Sequence, residues 1–164
     1  MKQGFTLIEL LMVIAILGII FAFGYQSLDE YRILLRIREA QTQFAQDLEQ
    51  ARQISRRLSL NLKVTVDTAA KTYKIFSLKS DGTEDTGLPS IGPKSFPTGI
   101  QFSAVNTPSG DPIYSGPFAR LKSATPNCYA FGVIGRTNFA EVTMLGVTGI
   151  VVRRPVQKSG SPCA

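Results

Sequence analysis

Nineteen residues without a formal charge lie between Glu9 and Asp29, and no proline occurs before Pro89. A helix rising 1.5 Å per residue needs roughly 20 apolar residues to cross about 30 Å of hydrocarbon, so this run has spanning length. Leu10 to Phe23 is apolar on every face, which leaves no polar side for a soluble amphipathic helix. The residues therefore predict a membrane-inserted helix. Glu9, at the start of the run, breaks the pattern, because a carboxylate at the bilayer centre costs about 2.5 kcal/mol or more.

The 164 residues, 44% of them hydrophobic, suffice for one globular domain beyond that helix. The chain has no His and no Trp, which removes His-based metal sites and most catalytic triads. No glycine-rich phosphate loop appears, so an anchored enzyme has no motif behind it, and no cofactor is expected. The formal charge of +6 is unevenly spread. Residues 118–164 hold Arg120, Lys122, Arg136, Arg153, Arg154 and Lys158 against Glu141 alone, so the basicity belongs to the last quarter of the chain.

Two processing routes fit the first segment. A secretory signal peptidase would cut after Ala22-Phe23-Gly24, before Tyr25. In the other route the cut falls after Gly4 and leaves the whole apolar helix on the mature chain. A carboxylate is a poor part of an h-region destined for removal, so Glu9 favours the second route.

Gly4-Phe5-Thr6-Leu7-Ile8-Glu9, followed by an apolar stretch, resembles the type III signal of type IV pilins and pseudopilins. The resemblance implies a leader of residues 1–4 and a prepilin peptidase that cuts between Gly4 and Phe5 and methylates the new amine of Phe5. It also gives Glu9 a part in filament formation. Physical chemistry agrees with that part: a cationic amine at a helix N-terminus sits badly against the helix dipole and must be neutralised in hydrocarbon. Glu9 stands one turn away and reaches its own Phe5 amine, or that of a neighbouring subunit in a filament. The plain alternative is an incidental carboxylate near the membrane interface.

From Ile37 the apolar positions Ile37, Ala40, Phe44, Leu48, Ala51, Ile54 and Leu58 recur at spacings of three and four. Arg36, Glu39, Asp47, Glu49, Arg52 and Arg56 are distributed around the other faces. The pattern predicts one helix of about 55 residues, on the order of 80 Å long, whose first half (5–28) lies in the membrane or filament core and whose second half (29–60) is amphipathic. Residues 61–67 and 71–78 alternate as a hairpin. Residues 80–97 and 106–117 read as loops, and 99–105, 128–134, 139–145 and 150–153 as further strands. The expected fold is α+β, pilin-like: a long N-terminal helix packed on an antiparallel β-sheet domain of residues 61–164.

"FAQDLEQARQISRRLSLNLKVTV" and "FGVIGRTNFAEVTMLGVTGIVVRR" are similar to H-type minor pseudopilins and FimT-like minor pilins. Between Leu78 and Pro126 nothing carries the resemblance. Cys128 and Cys163 fit a disulfide outside the cytoplasm, worth roughly 3 to 4 kcal/mol if unstrained, with two separate thiols as the alternative. Many pilins close their C-terminal region with a disulfide, and the resemblance extends to it.

The basic end admits two readings: a solvated surface, or a patch on which Arg120, Lys122, Arg136, Arg153, Arg154 and Lys158 hold DNA phosphates. Some FimT-like pilins use a basic C-terminal region in DNA uptake. Their Gly-Arg-x-Arg signature is replaced here by "GIVVRR". The partners implied are the prepilin peptidase, other pilin or pseudopilin subunits, an inner-membrane assembly platform, membrane lipid and, on the second reading, DNA. The implied location is the bacterial inner membrane, single-pass with the domain outside the cytoplasm, and then a pilus or secretion filament.

Overall fold

The structure, a computed structural model, describes residues 6–163, with the side chains of residues 22–27 also outside the description. Gly4 and Phe5 lie outside the described residues. One helix, α1, runs over Leu7–Leu58. Thr6 opens it and a left-handed Ser59, at φ 54°, ends it just after Arg56 and Arg57 of the last turn. By contact the chain divides into two units, up to Leu35 and from Arg36 onward.

In the first unit the described residues Leu7–Phe21 are all exposed, including Ile14, Ile19 and Phe21. Among the described residues no helix is long and apolar enough to cross a membrane.

The described residues of the second unit form the rest of α1 and nine strands: β1 (Leu62–Asp67), β2 (Thr72–Ser77), β3 (Ile91–Ser95), β4 (Ile100–Asn106), β5 (Ile113–Ser115), β6 (Arg120–Leu121), β7 (Asn127–Val133), β8 (Phe139–Leu145) and β9 (Ile150–Gln157). They form two antiparallel sheets, a five-stranded one ordered β3-β2-β1-β5-β6 and a four-stranded one ordered β4-β7-β8-β9. The expected hairpin is β1–β2, with Leu62↔Ser77 and Asp67↔Thr72 at its ends.

Two expected loops contain strands. Residues 80–97 include β3, which pairs with β2, and residues 106–117 include β5, which pairs with β1. Proline and glycine in Ile91-Gly-Pro-Lys-Ser95 hide the first, and three residues are too few to show alternation in the second. The last strand also runs past the expected Arg153 through Pro155, which an edge strand tolerates.

Both sheets close on one helical ring. Phe44 has Tyr73 of β2 at 4.8 Å, Tyr129 and Phe131 of β7 at 5.0 and 5.4 Å, and Phe102 of β4 at 5.9 Å, measured between ring centroids. Ile37, Ala40, Leu48 and Ala51 complete the buried stripe. The stripe departs from expectation at its end, where Ile54 is half-buried and Leu58 is exposed. Ser55 is buried there instead, because its hydroxyl donates to the carbonyl of Leu60 at 2.8 Å and fixes the turn into β1. Gly116 is required beside that turn, since a Cβ would lie 2.4 Å from the carbonyl carbon of Ser59.

A second departure concerns polarity. Asp47, expected on a polar face, is only 5% exposed. Its carboxylate accepts from the Tyr73 hydroxyl at 2.5 Å and from the Lys94 ammonium at 2.8 Å, so its burial is compensated. Lys94 belongs to β3, so this charge contact ties that short edge strand to the helix.

Candidate functional site

At the N-terminus the described geometry centres on Thr6 and Glu9. The Thr6 backbone N–H and hydroxyl donate to Glu9 Oε2 at 3.0 and 2.9 Å, and the Glu9 N–H lies 3.4 Å from Thr6 Oγ1. This is a capping box: the N-cap Thr and the Glu three residues on satisfy each other's otherwise unbonded N–H groups. Sequence reasoning assigned Glu9 a partner at Phe5 and overlooked Thr6, although Thr-x-x-Glu ahead of an apolar run is a recognised helix start. A capped Glu9 has one carboxylate oxygen engaged within its own first turn, with its orientation set. The processing positions Gly4 and Phe5 fall outside the described residues.

At the other end, Cys128 of β7 and Cys163 are joined in a disulfide. Beside it, Glu141 of β8 is 2% exposed. Its Oε1 accepts the backbone N–H of Cys163 at 2.7 Å, and its Oε2 accepts Nη1 of Arg154 at 3.2 Å. Among the described residues Cys128, Glu141 and Cys163 form the one group of metal-ligand type, with donor atoms within 4.8 Å of one another. The disulfide uses both sulfurs, so the cluster is a covalent and ionic clasp on the chain end.

Gln41 reaches the same place from the helix. Its amide donates to the carbonyls of Glu141 at 2.7 Å and Arg154 at 2.6 Å, where the β8–β9 register shifts between Phe139 and Glu141. A shift leaves ladder carbonyls without strand partners, and a long amide side chain supplies the missing donors.

The six basic residues do not share one face. Arg120 lies in β6 with its guanidinium 5.6 Å from the Phe118 ring, and Lys122 is exposed just beyond. Arg136 sits between β7 and β8, and Lys158 follows β9. Arg153 and Arg154 are neighbours in β9 but project to opposite sides: Arg154 joins Glu141, while Arg153 borders a hollow of about 320 Å³ with Val151 and the helix residues Ala45, Gln46 and Glu49.

The comparisons with known proteins bear on the N-terminal motif and on the fold. The profile of the prokaryotic N-terminal methylation motif matches residues 1–25. Among solved structures, the minor pseudopilin EpsH from the type 2 secretion system of Vibrio cholerae matches with a TM-score of 0.55 and 13% identity, over 73% of this chain and 97% of that one. No curated protein sequence matches. The fold and the N-terminal motif define a pilin-like chain. Its N-terminal motif is the one for prokaryotic N-terminal methylation, and its fold is similar to that of a minor pseudopilin.

Proposed function

We propose that this chain is a minor pilin or pseudopilin, cleaved after Gly4 and N-methylated at Phe5, that rests in the bacterial inner membrane through residues 5–28 and is drawn into a pilus or secretion filament. The observation that carries the reading is the methylation motif over residues 1–25 ahead of a pseudopilin fold. The apolar side chains exposed along Leu7–Phe21 need lipid, or copies of similar helices, to cover them. The capping box supports the role given to Glu9 by fixing the orientation of its carboxylate at the first turn, with Oε2 held by Thr6; the proposed partner is its own Phe5 amine at rest and a neighbour's amine after assembly. Glu9→Val tests this, with the variant expected to be inserted and cleaved yet excluded from filaments. Normal incorporation would remove Glu9 from the mechanism.

A second reading, DNA binding during uptake, is favoured by one observation: Arg153 lies exposed on an edge strand. Phosphate contacts of this kind weaken steeply with salt. Retention of duplex DNA that falls with salt and with charge reversal at Arg153 would support it, and binding unchanged by the reversal would end it.

A further inference from the structure

Strand β9 closes the four-stranded sheet, and among the described residues no strand lies beyond it. Free edges invite pairing with another chain, and folded proteins blunt them by shortness, bulges or proline. The other three edges are blunted in that way. In the five-stranded sheet β6 has two residues, and β3 contains Pro93 and a register shift; β4, at the far side of the four-stranded sheet, is broken by a shift between Phe102 and Ala104. β9 carries such devices at its far end alone, where Pro155 and the shift between Phe139 and Glu141 fall, and from Arg154 to Ile150 its register is unbroken over five positions.

The same five residues have two distinct faces. Ile150 and Val152, 44% and 37% exposed, lie on the outer side with Leu145, the partner of Ile150, at 40%. Val151 and Arg153 face the hollow beside the helix, where Gln46 offers an amide and Glu49 is already paired with Arg52 at 3.2 Å. Residues 118–164 carry six basic groups against one acid, and that acid, Glu141, is held by Arg154 and Cys163. An occupant of this edge therefore needs backbone N–H and C=O groups at strand spacing, apolar side chains on one face and carboxylates on the other.

We propose that residues Ile150–Arg154 are a docking edge for an extended segment of a partner protein that alternates apolar and acidic residues and adds to the sheet as a fifth strand. Its apolar side chains continue the Leu145–Ile150–Val152 row, and its carboxylates enter the hollow toward Arg153 and Gln46. The outer row of Leu145, Ile150 and Val152 fits a polypeptide strand better than a nucleic-acid backbone, which would gain nothing from it. This inference is independent of which filament the subunit joins.

The test uses the full chain in detergent micelles and a short fluorescent peptide alternating valine and glutamate. Binding is read by anisotropy, and its location by amide hydrogen exchange. The expected result is slowed exchange in Ile150–Arg154 on peptide addition, with binding roughly tenfold weaker for Arg153→Glu or for a valine–lysine peptide. Val152→Asp, on the opposite face, should weaken it comparably, and the melting temperatures of both variants identify any loss of fold. Equal binding of the valine–lysine peptide, or peptide binding without protection in β9, would overturn the proposal. Protection of β9 by a short DNA duplex but not by the peptide would overturn it in favour of nucleic acid.

Discussion

The phenol of Tyr73 donates a 2.5 Å hydrogen bond to the carboxylate of Asp47, and the same carboxylate takes the ammonium of Lys94 at 2.8 Å. Three elements, α1, β2 and β3, meet at that one buried anion. Removing it leaves a buried phenol and a half-exposed ammonium without their acceptor, so Asp47→Ala should cost about 2 kcal/mol. Tyr73→Phe removes one bond and leaves the ion pair, for about 1 kcal/mol. Denaturant unfolding of the two variants should show that order, and hydrogen exchange should locate the loosened segment in β3.

Burial holds the phenols of Tyr73, Tyr114 and Tyr129 well above the ordinary tyrosine range, with Asp47 adding to the effect at Tyr73. Each group binds its proton more tightly in the folded chain than in the unfolded one. The stability this contributes is complete below the unfolded value of about 10 and falls as pH rises past it. The unfolding midpoint should therefore be steady at mildly alkaline pH and decline above pH about 10, together with the rise of phenolate absorbance. The buried Tyr129 hydroxyl has no hydrogen-bond partner among the described residues, so Tyr129→Phe should change stability at neutral pH by less than about 0.5 kcal/mol while making the alkaline decline shallower.

The clasp at the chain end makes a separate prediction. Reducing the Cys128–Cys163 disulfide should lower stability by roughly 3 kcal/mol, since it reopens a loop spanning 35 positions. Glu141→Gln retains an acceptor for the Cys163 N–H but loses the charge that holds Arg154. Its cost should be smaller, about 1 kcal/mol, because the Arg154 side chain is half exposed. Chemical denaturation with and without reductant checks both figures.

Gln41 is expected to matter more than its polarity suggests. It gives donors to two carbonyls at the β8–β9 register shift, and Gln41→Leu, similar in size, would leave both without a donor from the helix. A loss of about 2 kcal/mol is expected. Faster amide exchange around Glu141 and Arg154, with the rest of the domain unchanged, would locate the effect.

What the sequence disclosed depended on whether a pattern had the length to speak. The helix was legible because no proline interrupts it and because Ile37, Ala40, Phe44, Leu48 and Ala51 repeat faithfully. Strands β1, β2, β7 and β8 were legible from runs of six or seven residues. The short strands β3 and β5 were not, because their pairing is a tertiary fact that a glycine, a proline or three residues cannot announce. Asp47 read as a surface residue by type, and only its distant partners Lys94 and Tyr73 explain its burial; nothing in the sequence singles out Gln41, whose burial follows from the carbonyls of Glu141 and Arg154. Arg153 and Arg154 looked like one patch in one dimension, whereas strand alternation sends them to opposite sides. The Thr6–Glu9 pair was available in the sequence as Thr-x-x-Glu and was obscured by the attention drawn to the charge itself.

Mass spectrometry of the mature N-terminus reads the processing of this chain without intermediaries. A chain that begins at Phe5 with a methylated amine and retains the whole apolar helix is expected. A mature chain that begins at Tyr25 would contradict it.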